Sequence, residues 1–151
     1  ARQLMVPRDR LVSIDAATSF EELLHVAVSC PFSRMPVYRG SLDKVVGILH
    51  TKDVVTAFVK GHPRSTTALL RSVVRVPDTM AADRILAFLR ERRSHQAIVV
   101  ASAGDVAGLI TLEDVLSELL GEIGDEFKGR RGRRASDTTG DASDQPGESG
   151  R

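Results

Sequence analysis

The stretch SRMPVYRGSLDKVVGILHTKDVV, residues 33–55, is written again with changes as SHQAIVVASAGDVAGLITLEDVL, residues 94–116. Setting Ser33 on Ser94, Gly47 on Gly108 and Asp53 on Asp114 uses one spacing of 61 positions and no gap. Self-similarity at a fixed period means that the fold is assembled from two copies of one supersecondary unit. Two such halves must meet, and the seam between them is a natural cleft for a ligand.

Outward from the repeat, Val12-Ser13-Ile14 reads as a short strand. Asp15 to Thr18 turns the chain into a helix with Phe20, Leu23, Leu24, Ala27 and Val28 on one face. Met35 to Tyr38 and Val45 to His50 are strand-like around the turn Arg39-Gly40-Ser41, and Val54, Val55, Phe58 and Val59 mark a second helix. The second half keeps that order, with a strand at Val74 to Val76 and a helix carrying Ile85, Leu86, Phe88 and Leu89. Strands at Ala97 to Val100 and Val106 to Thr111 follow, around Ala103-Gly104-Asp105. The last helix has apolar residues at Leu112, Val115, Leu116, Leu119, Leu120 and Ile123, the spacing of a buried stripe. The expected fold is α/β (α+β): two tandem β-α-β-β-α repeats related by pseudo-two-fold symmetry, at residues 4–60 and 74–127. The connector at 61–73 is turn-rich at first and has a short helix within Thr67 to Ser72.

With 42% hydrophobic and 27% charged residues over 151 positions, the chain has the composition of one globular domain. Its 21 basic and 20 acidic residues leave a net charge of +1, so bulk electrostatics favour neither nucleic acid nor an anionic membrane, and no nucleic-acid partner is expected. A single cysteine, Cys30, cannot pair within the chain; a reducing compartment and an apolar filling role at a helix end are the simpler reading. No run approaches the roughly 18 apolar residues of a membrane span. The opening ARQLMVPRD lacks an initiator Met and a signal-peptide pattern, as expected of a soluble fragment of a longer protein.

Residues 128–151 contain no large apolar side chain and are expected to be a disordered tail, because burial cannot offset the entropy of ordering them. The basic group Lys128, Arg130, Arg131, Arg133 and Arg134 precedes acidic Asp137, Asp141, Asp144 and Glu148. Two readings stay open, a solvated tail and electrostatic contact with an anionic membrane surface.

Each repeat closes with a strand, a turn and a helix, GILHTKD from Gly47 and GLITLED from Gly108. In the second copy this puts the Thr111 hydroxyl and the Asp114 carboxylate around one first helical turn, facing the same side. Reciprocal capping of the helix accounts for the pair. So does a nucleotide, with the carboxylate accepting from ribose hydroxyls and the hydroxyl and helix N–H groups receiving phosphate. The two uses are compatible.

The tandem units, with SRMPV, GILHTKD, SHQAIVV and GLITLEDVL, resemble a cystathionine-β-synthase (CBS) domain pair, or Bateman module. MVPRD followed by these segments and by SELLGEI is similar to the cytosolic module of the CorC/HlyC and CNNM family of magnesium transport proteins, from about Leu4 to Phe127. The resemblance implies a regulatory module that binds adenine nucleotide, ATP with Mg²⁺, at the cytoplasmic face of the cell membrane beneath a membrane-embedded transport domain. It also implies a homodimer formed through the helices around Phe20 to Val28 and Ala81 to Leu89. By the same resemblance Thr111 meets phosphate or ribose and Asp114 the ribose hydroxyls, Phe32, Ser33, Arg34, Met35 and Pro36 border the base, and Met5, Val6 and Pro7 close the pocket. Arg34 and Arg8 are candidates for phosphate charge, or else solvated arginines.

The related site in the first repeat departs from this pattern: His50 stands where the second has Thr111, and Ala97 stands where the first has Pro36. One functional nucleotide site is therefore expected, with Asp53 still available for a ribose and His50 as a packing residue. His25, His50, His62 and His95 show no zinc-type spacing with one another or with Cys30, so no protein-made metal site is expected. Glu113, Glu118, Glu122, Asp125 and Glu126 read as a solvated face. No GxSxG elbow accompanies Ser94-His95, and catalysis is not expected. The alternative to a nucleotide sensor is a structural dimerisation module whose pocket is vestigial.

Overall fold

The computed structural model of the chain describes residues 1–61 and 65–135, the side chains of 125–135 excepted. It contains the two expected units. The first comprises β2 (Ile14–Asp15), α1 (Phe20–Ser29), β3 (Arg34–Arg39), β4 (Ser41–His50) and α2 (Thr51–Lys60); the second comprises β5 (Val74–Pro77), α3 (Ala82–Glu91), β6 (Gln96–Val100), β7 (Val106–Thr111) and α4 (Leu112–Ala135). Ahead of them lie a two-residue strand, β1 (Val6–Pro7), and a 3-10 turn at Arg8–Arg10; a second 3-10 turn at Thr66–Leu69 supplies the short helix expected in the connector. The α4 backbone continues to Ala135, past the expected end of order at Lys128, and residues 136–151 of the expected tail lie outside the described residues.

Local sequence explains most boundaries. Ser19 caps α1, its hydroxyl accepting from the Glu22 N–H at 3.3 Å. Cys30 ends that helix, with its thiol 3.6 Å from the Met35 sulfur, the packing role expected of it. The strand expected at Val12-Ser13-Ile14 is instead Ile14–Asp15, and Val12 is 44% exposed rather than paired.

Each repeat builds one sheet. In the first, β2 runs parallel to β3, which is antiparallel to β4; in the second, β5 runs parallel to β6, which is antiparallel to β7. The register corrects the ungapped repeat. Val37 pairs with Gly47 and Val99 with Gly108, so β3 and β6 correspond at a spacing of 62, whereas β4 and β7 correspond at 61. The same 62 relates α1 to α3, and 61 relates the starts of α2 and α4. The missing residue is in the hairpin, where Tyr38 pairs with Val45 but Val100 with Val106. Because side chains alternate along a strand, a one-residue shift exchanges the two faces. Pro36 therefore corresponds to Ile98, not to Ala97, and Arg34 corresponds to Gln96.

Two cores follow, one per repeat. Ile14, Leu23, Met35, Val37, Leu49 and Val54 fill the first, with α1 on α2; Val76, Ile85, Leu89, Ala97, Val99, Ile110 and Val115 fill the second, with α3 on α4. A third cluster, Val45, Ile98, Val106 and Leu109, lies on the seam between repeats. Fully burying such a side chain stabilises by about 1.5–3 kcal/mol, so this cluster outweighs the polar links around it. Those links fix the register of the seam: Val106 N–H donates to Asp43 at 3.0 Å, Arg75 donates to the Val45 carbonyl at 2.7 Å, and Arg8 pairs with Asp43 and reaches the Val106 carbonyl.

The segments that lead into the repeats are crossed. β1 lies antiparallel on β7 of the second repeat, Val6 opposite Leu109 and Pro7 opposite Gly108. Arg71, leading into the second repeat, exchanges two 2.9 Å backbone hydrogen bonds with Ile48 of the first. The two glycines shared by the repeats make this possible. A Cβ on Gly108 would overlap the Val6 carbonyl oxygen, and one on Gly47 would sit 2.9 Å from the Arg71 carbonyl oxygen. Although the sequence unit at 4–60 contains β1, in space β1 is an edge of the second repeat's sheet.

Candidate functional site

Two clefts open along the seam, and the corrected register makes them counterparts. The larger, about 300 Å³, has Val6, Leu11, Val12, Pro31, Phe32, Pro36 and Leu109 as apolar walls, and Arg10, Ser33, Arg34, Gln96 and Thr111 as polar groups. Val6, Val12 and Phe32 are 37%, 44% and 52% exposed, an unusual concentration of apolar surface on one concavity. Two donors on its floor lack partners: the Gln96 side-chain amide nitrogen and the Arg34 Nε are both buried with no hydrogen bond among the described residues. Buried donors of this kind are costly unless something accepts from them.

At one end of this cleft stands the start of α4. Thr111 Oγ1 donates to Asp114 Oδ2 at 2.7 Å, the Thr111 N–H donates to the same oxygen at 3.1 Å, and the Asp114 N–H donates to Thr111 Oγ1 at 3.2 Å. This is the reciprocal capping anticipated from sequence, in which both partners satisfy otherwise orphaned helix donors. The carboxylate uses only Oδ2 in these bonds, which leaves Oδ1 without a partner among the described residues.

Of the ten expected binding residues, Phe32, Ser33, Arg34, Pro36, Val6 and Thr111 line this cleft together. Asp114 is not among the residues lining it but is hydrogen-bonded to Thr111, which is. Met35, expected beside the base, is fully buried in the first core instead, because strand alternation turns it away from the face that Arg34 and Pro36 share. Met5 packs against the second core and over Gly108, and neither it nor Pro7 reaches the cleft. Arg8, a candidate for phosphate charge, is held by Asp43, and their hydrogen bond raises the guanidinium pKa and lowers that of the Asp43 carboxyl. Arg10, Leu11, Val12, Gln96 and Leu109 are lining residues that sequence reasoning missed; Gln96 matches Arg34 at a spacing of 62 that only the strand pairing reveals.

The smaller cleft, about 170 Å³, is lined by Ile48, His50, Arg71, Ser72, Val74, Arg92, Arg93, Ser94 and His95, and it shares Arg34 and Gln96 with the first. Asp53, expected to remain available for a ribose, accepts from Arg71 at 2.9 and 3.1 Å, which holds its pKa below the ordinary carboxylate range. His50 is not a core packing residue; it lines this cleft, and its pKa is depressed by burial and then by the Arg71 and Arg34 cations. Among the described residues no group of three or more His, Cys, Asp or Glu is placed to hold a metal ion, and no helix is long and apolar enough to cross a membrane.

Two β-α-β-β-α units meeting across a two-cleft seam define the class: the CBS domain family matches residues 1–60 and 68–121, and the chain belongs to it. More narrowly, it is a tandem pair related to the CBS regions of CorC/CNNM Mg²⁺ transporters. It is 39% identical over 127 residues, 83% of its length, to the magnesium and cobalt efflux protein CorC of Vibrio cholerae, and 35% identical over 84% of its length to the UPF0053 protein YugS of Bacillus subtilis. The chain spans 44% and 30% of those proteins respectively. Among solved structures it resembles the CBS domain of a bacterial CNNM/CorC family Mg²⁺ transporter in complex with ATP, with a TM-score of 0.74, 38% identity, and coverage of 80% of this chain and 86% of that one. A CBS domain protein from Shewanella oneidensis gives the same TM-score at 31% identity, over 80% of this chain and 97% of that one.

Proposed function

We propose that this CBS pair binds an adenine nucleotide in the larger cleft and acts, without catalysis, as the regulatory module of a CorC/CNNM-like magnesium or cobalt transport protein at the cytoplasmic face of a membrane. The observation that carries this reading is the convergence of exposed Val6, Val12 and Phe32 on a floor of unpartnered donors beside the Thr111–Asp114 helix start. The base takes the apolar wall between Phe32, Val12 and Pro36, a ribose hydroxyl donates to Asp114 Oδ1, and phosphate meets Thr111 and the α4 N-terminus. The ATP complex of a 38% identical transporter domain supports the same ligand class. Mg²⁺ belongs on the nucleotide phosphates, where it keeps several of its waters.

Regulation requires that nucleotide favour one arrangement of repeats, or of two chains, over another by about 1–3 kcal/mol. The dimer pairing expected through α1 and α3 has exposed Val28 on α1, and exposed Val55, Phe58 and Val59 on α2 and Leu116, Leu120 and Ile123 on α4 add apolar surface for a homodimer through those helices. The same face supports the second reading, a structural dimerisation module with a vestigial pocket. Calorimetry with ATP and Mg²⁺ separates the two. Asp114→Ala is expected to weaken binding by about 1.5–3 kcal/mol, the range for a hydrogen bond to a charged group. Asp114→Asn, which keeps a capping oxygen, controls for loss of the helix cap. Absence of ATP binding to the wild type, with no rise in its melting midpoint, establishes the vestigial pocket.

A further inference from the structure

The smaller cleft has the backbone of a CBS ligand site and the side chains of a different one. In the counterpart positions Pro31, Phe32 and Ser33 become Arg93, Ser94 and His95, and Thr111 becomes His50. The apolar wall that a base requires is gone. In its place Arg34, Arg71, Arg92, Arg93, His50 and His95 converge on one concavity, and no carboxylate is among its lining residues. Asp53, the counterpart of Asp114, is engaged by Arg71 through both oxygens, so the group that would receive a ribose is closed to it.

Asp53 offsets one of these charges through Arg71, but Arg34, Arg92 and Arg93 have no carboxylate partner among the described residues, and like charges lining one concavity repel unless a counter-ion joins them. The depressed pKa of His50, to which Arg71, Arg34 and His95 contribute beside burial and against the opposing effect of Asp53, registers that surplus. A second observation is independent of charge. Gln96 is 5% exposed, lines the cleft, and carries a buried amide nitrogen with no partner, and the Arg34 Nε beside it is likewise unpartnered. Both are donors and both require an acceptor. Arg93 also adopts a left-handed backbone, φ 52°, at the rim, where its counterpart Pro31 cannot follow.

We propose that the smaller cleft is a second, chemically distinct ligand site that takes a compact multivalent phosphate anion and has no requirement for a nucleoside. Arg93, Arg92 and Arg71 surround the charge, the Gln96 amide and Arg34 Nε donate to its oxygens, and Ser94 closes the side where Phe32 stands in the other cleft. A volume of about 170 Å³ suits a di- or triphosphate group rather than a whole nucleotide. Arg34 and Gln96 line both clefts, so their donors do not distinguish the two; the arginine and histidine wall belongs to the smaller cleft alone, and this proposal can fail while adenine binding in the larger cleft stands.

Inorganic pyrophosphate, added to the 151-residue chain without Mg²⁺, tests it by calorimetry and by NMR titration of the histidine ring protons. Saturable binding that raises the pKa of His50 is expected, because an anion favours the imidazolium. Arg93→Gly, which also relieves the left-handed backbone, and Arg92→Gln are each expected to lower pyrophosphate affinity about tenfold. Asp114→Ala leaves that affinity unchanged. In the Asp114→Ala chain, ATP that still moves His50 identifies the phosphate tail of a nucleotide as an accepted source of the anion, whereas a response to pyrophosphate alone identifies the free anion. An unmoved His50 at saturating pyrophosphate overturns the proposal. So does an affinity lost in Asp114→Ala but kept in both arginine variants, which would place the anion in the larger cleft.

Discussion

The two clefts share a backbone plan and differ in what that plan presents. Both lie between a strand end, a helix start and a crossed leading segment, and both use Arg34 and Gln96 as a common floor. In one, the helix-start carboxylate is bound only to its own cap; in the other, it is clamped by an arginine from the connector. One wall is Pro31-Phe32 and the other Arg93-Ser94. Duplication therefore supplied two equivalent frames, and substitutions at the rim separated their chemistry while both cores stayed apolar, with Met35 of the first matched by Ala97 of the second.

The largest expected effect removes the frame itself. Gly108→Ala should expel β1 from the second sheet and destabilise by about 2–3 kcal/mol, the upper range for an overpacked site, with Gly47→Ala milder because its approach to the Arg71 carbonyl oxygen, 2.9 Å, is less close than that of Gly108 to the Val6 carbonyl oxygen. Chemical unfolding of both variants measures it, and equal effects would show that the crossing is symmetric in energy and that the closer approach at Gly108 carries no extra cost. Next, Phe32→Ala should weaken adenine nucleotide by about 1–3 kcal/mol, the usual cost of losing a base-stacking ring, and leave the melting temperature close to wild type because Phe32 is 52% exposed. Ser94→Ala, at the counterpart position, should leave nucleotide affinity untouched; a matching loss would mean that both clefts take the base.

Acid sensitivity comes third. The folded pKa of His50 lies below its ordinary value of about 6.5, so the unfolded chain takes up that proton first and stability falls as pH drops below about 6.5. His50→Thr, which copies Thr111, should flatten this limb in melts recorded across pH, and an unchanged limb would remove His50 as its cause. The smallest effect belongs to Asp53→Asn. The depressed pKa of Asp53 contributes stability above the ordinary carboxylate range that is lost as pH falls through the folded value, and the pair is exposed enough for solvent to screen most of it. Acid titration of the unfolding midpoint reads the difference.

Most of the fold was legible because hydrophobic periodicity is local. The strand at Val106 to Thr111 and the helix beginning at Leu112 fall where alternation and the helical stripe put them. The register was not, because a one-residue difference in a hairpin leaves composition unchanged while exchanging faces, and this misplaced the counterpart of Pro36. The capping pair Thr111–Asp114 was readable from a three-residue spacing. The engagement of Asp53 by Arg71 was not, since the two are 18 positions apart and meet only through the crossed connector. Gln96 carried no local sign of importance; its significance lies in a buried nitrogen that only three dimensions leave without a partner.

The crossed leading segments also mean that the inherited module and the folding module are different objects. Fragments 1–61 and 65–135 would divide the chain neatly between its two repeats, yet each would carry the edge segment that covers the other's glycine. Alone, the second piece lacks the β1 edge of its sheet, whereas the first keeps β2, β3 and β4 and loses the bridge from Arg71 to Ile48. Mixed together, they hold every strand needed, so complementation of two separately incomplete halves is the behaviour this topology builds in.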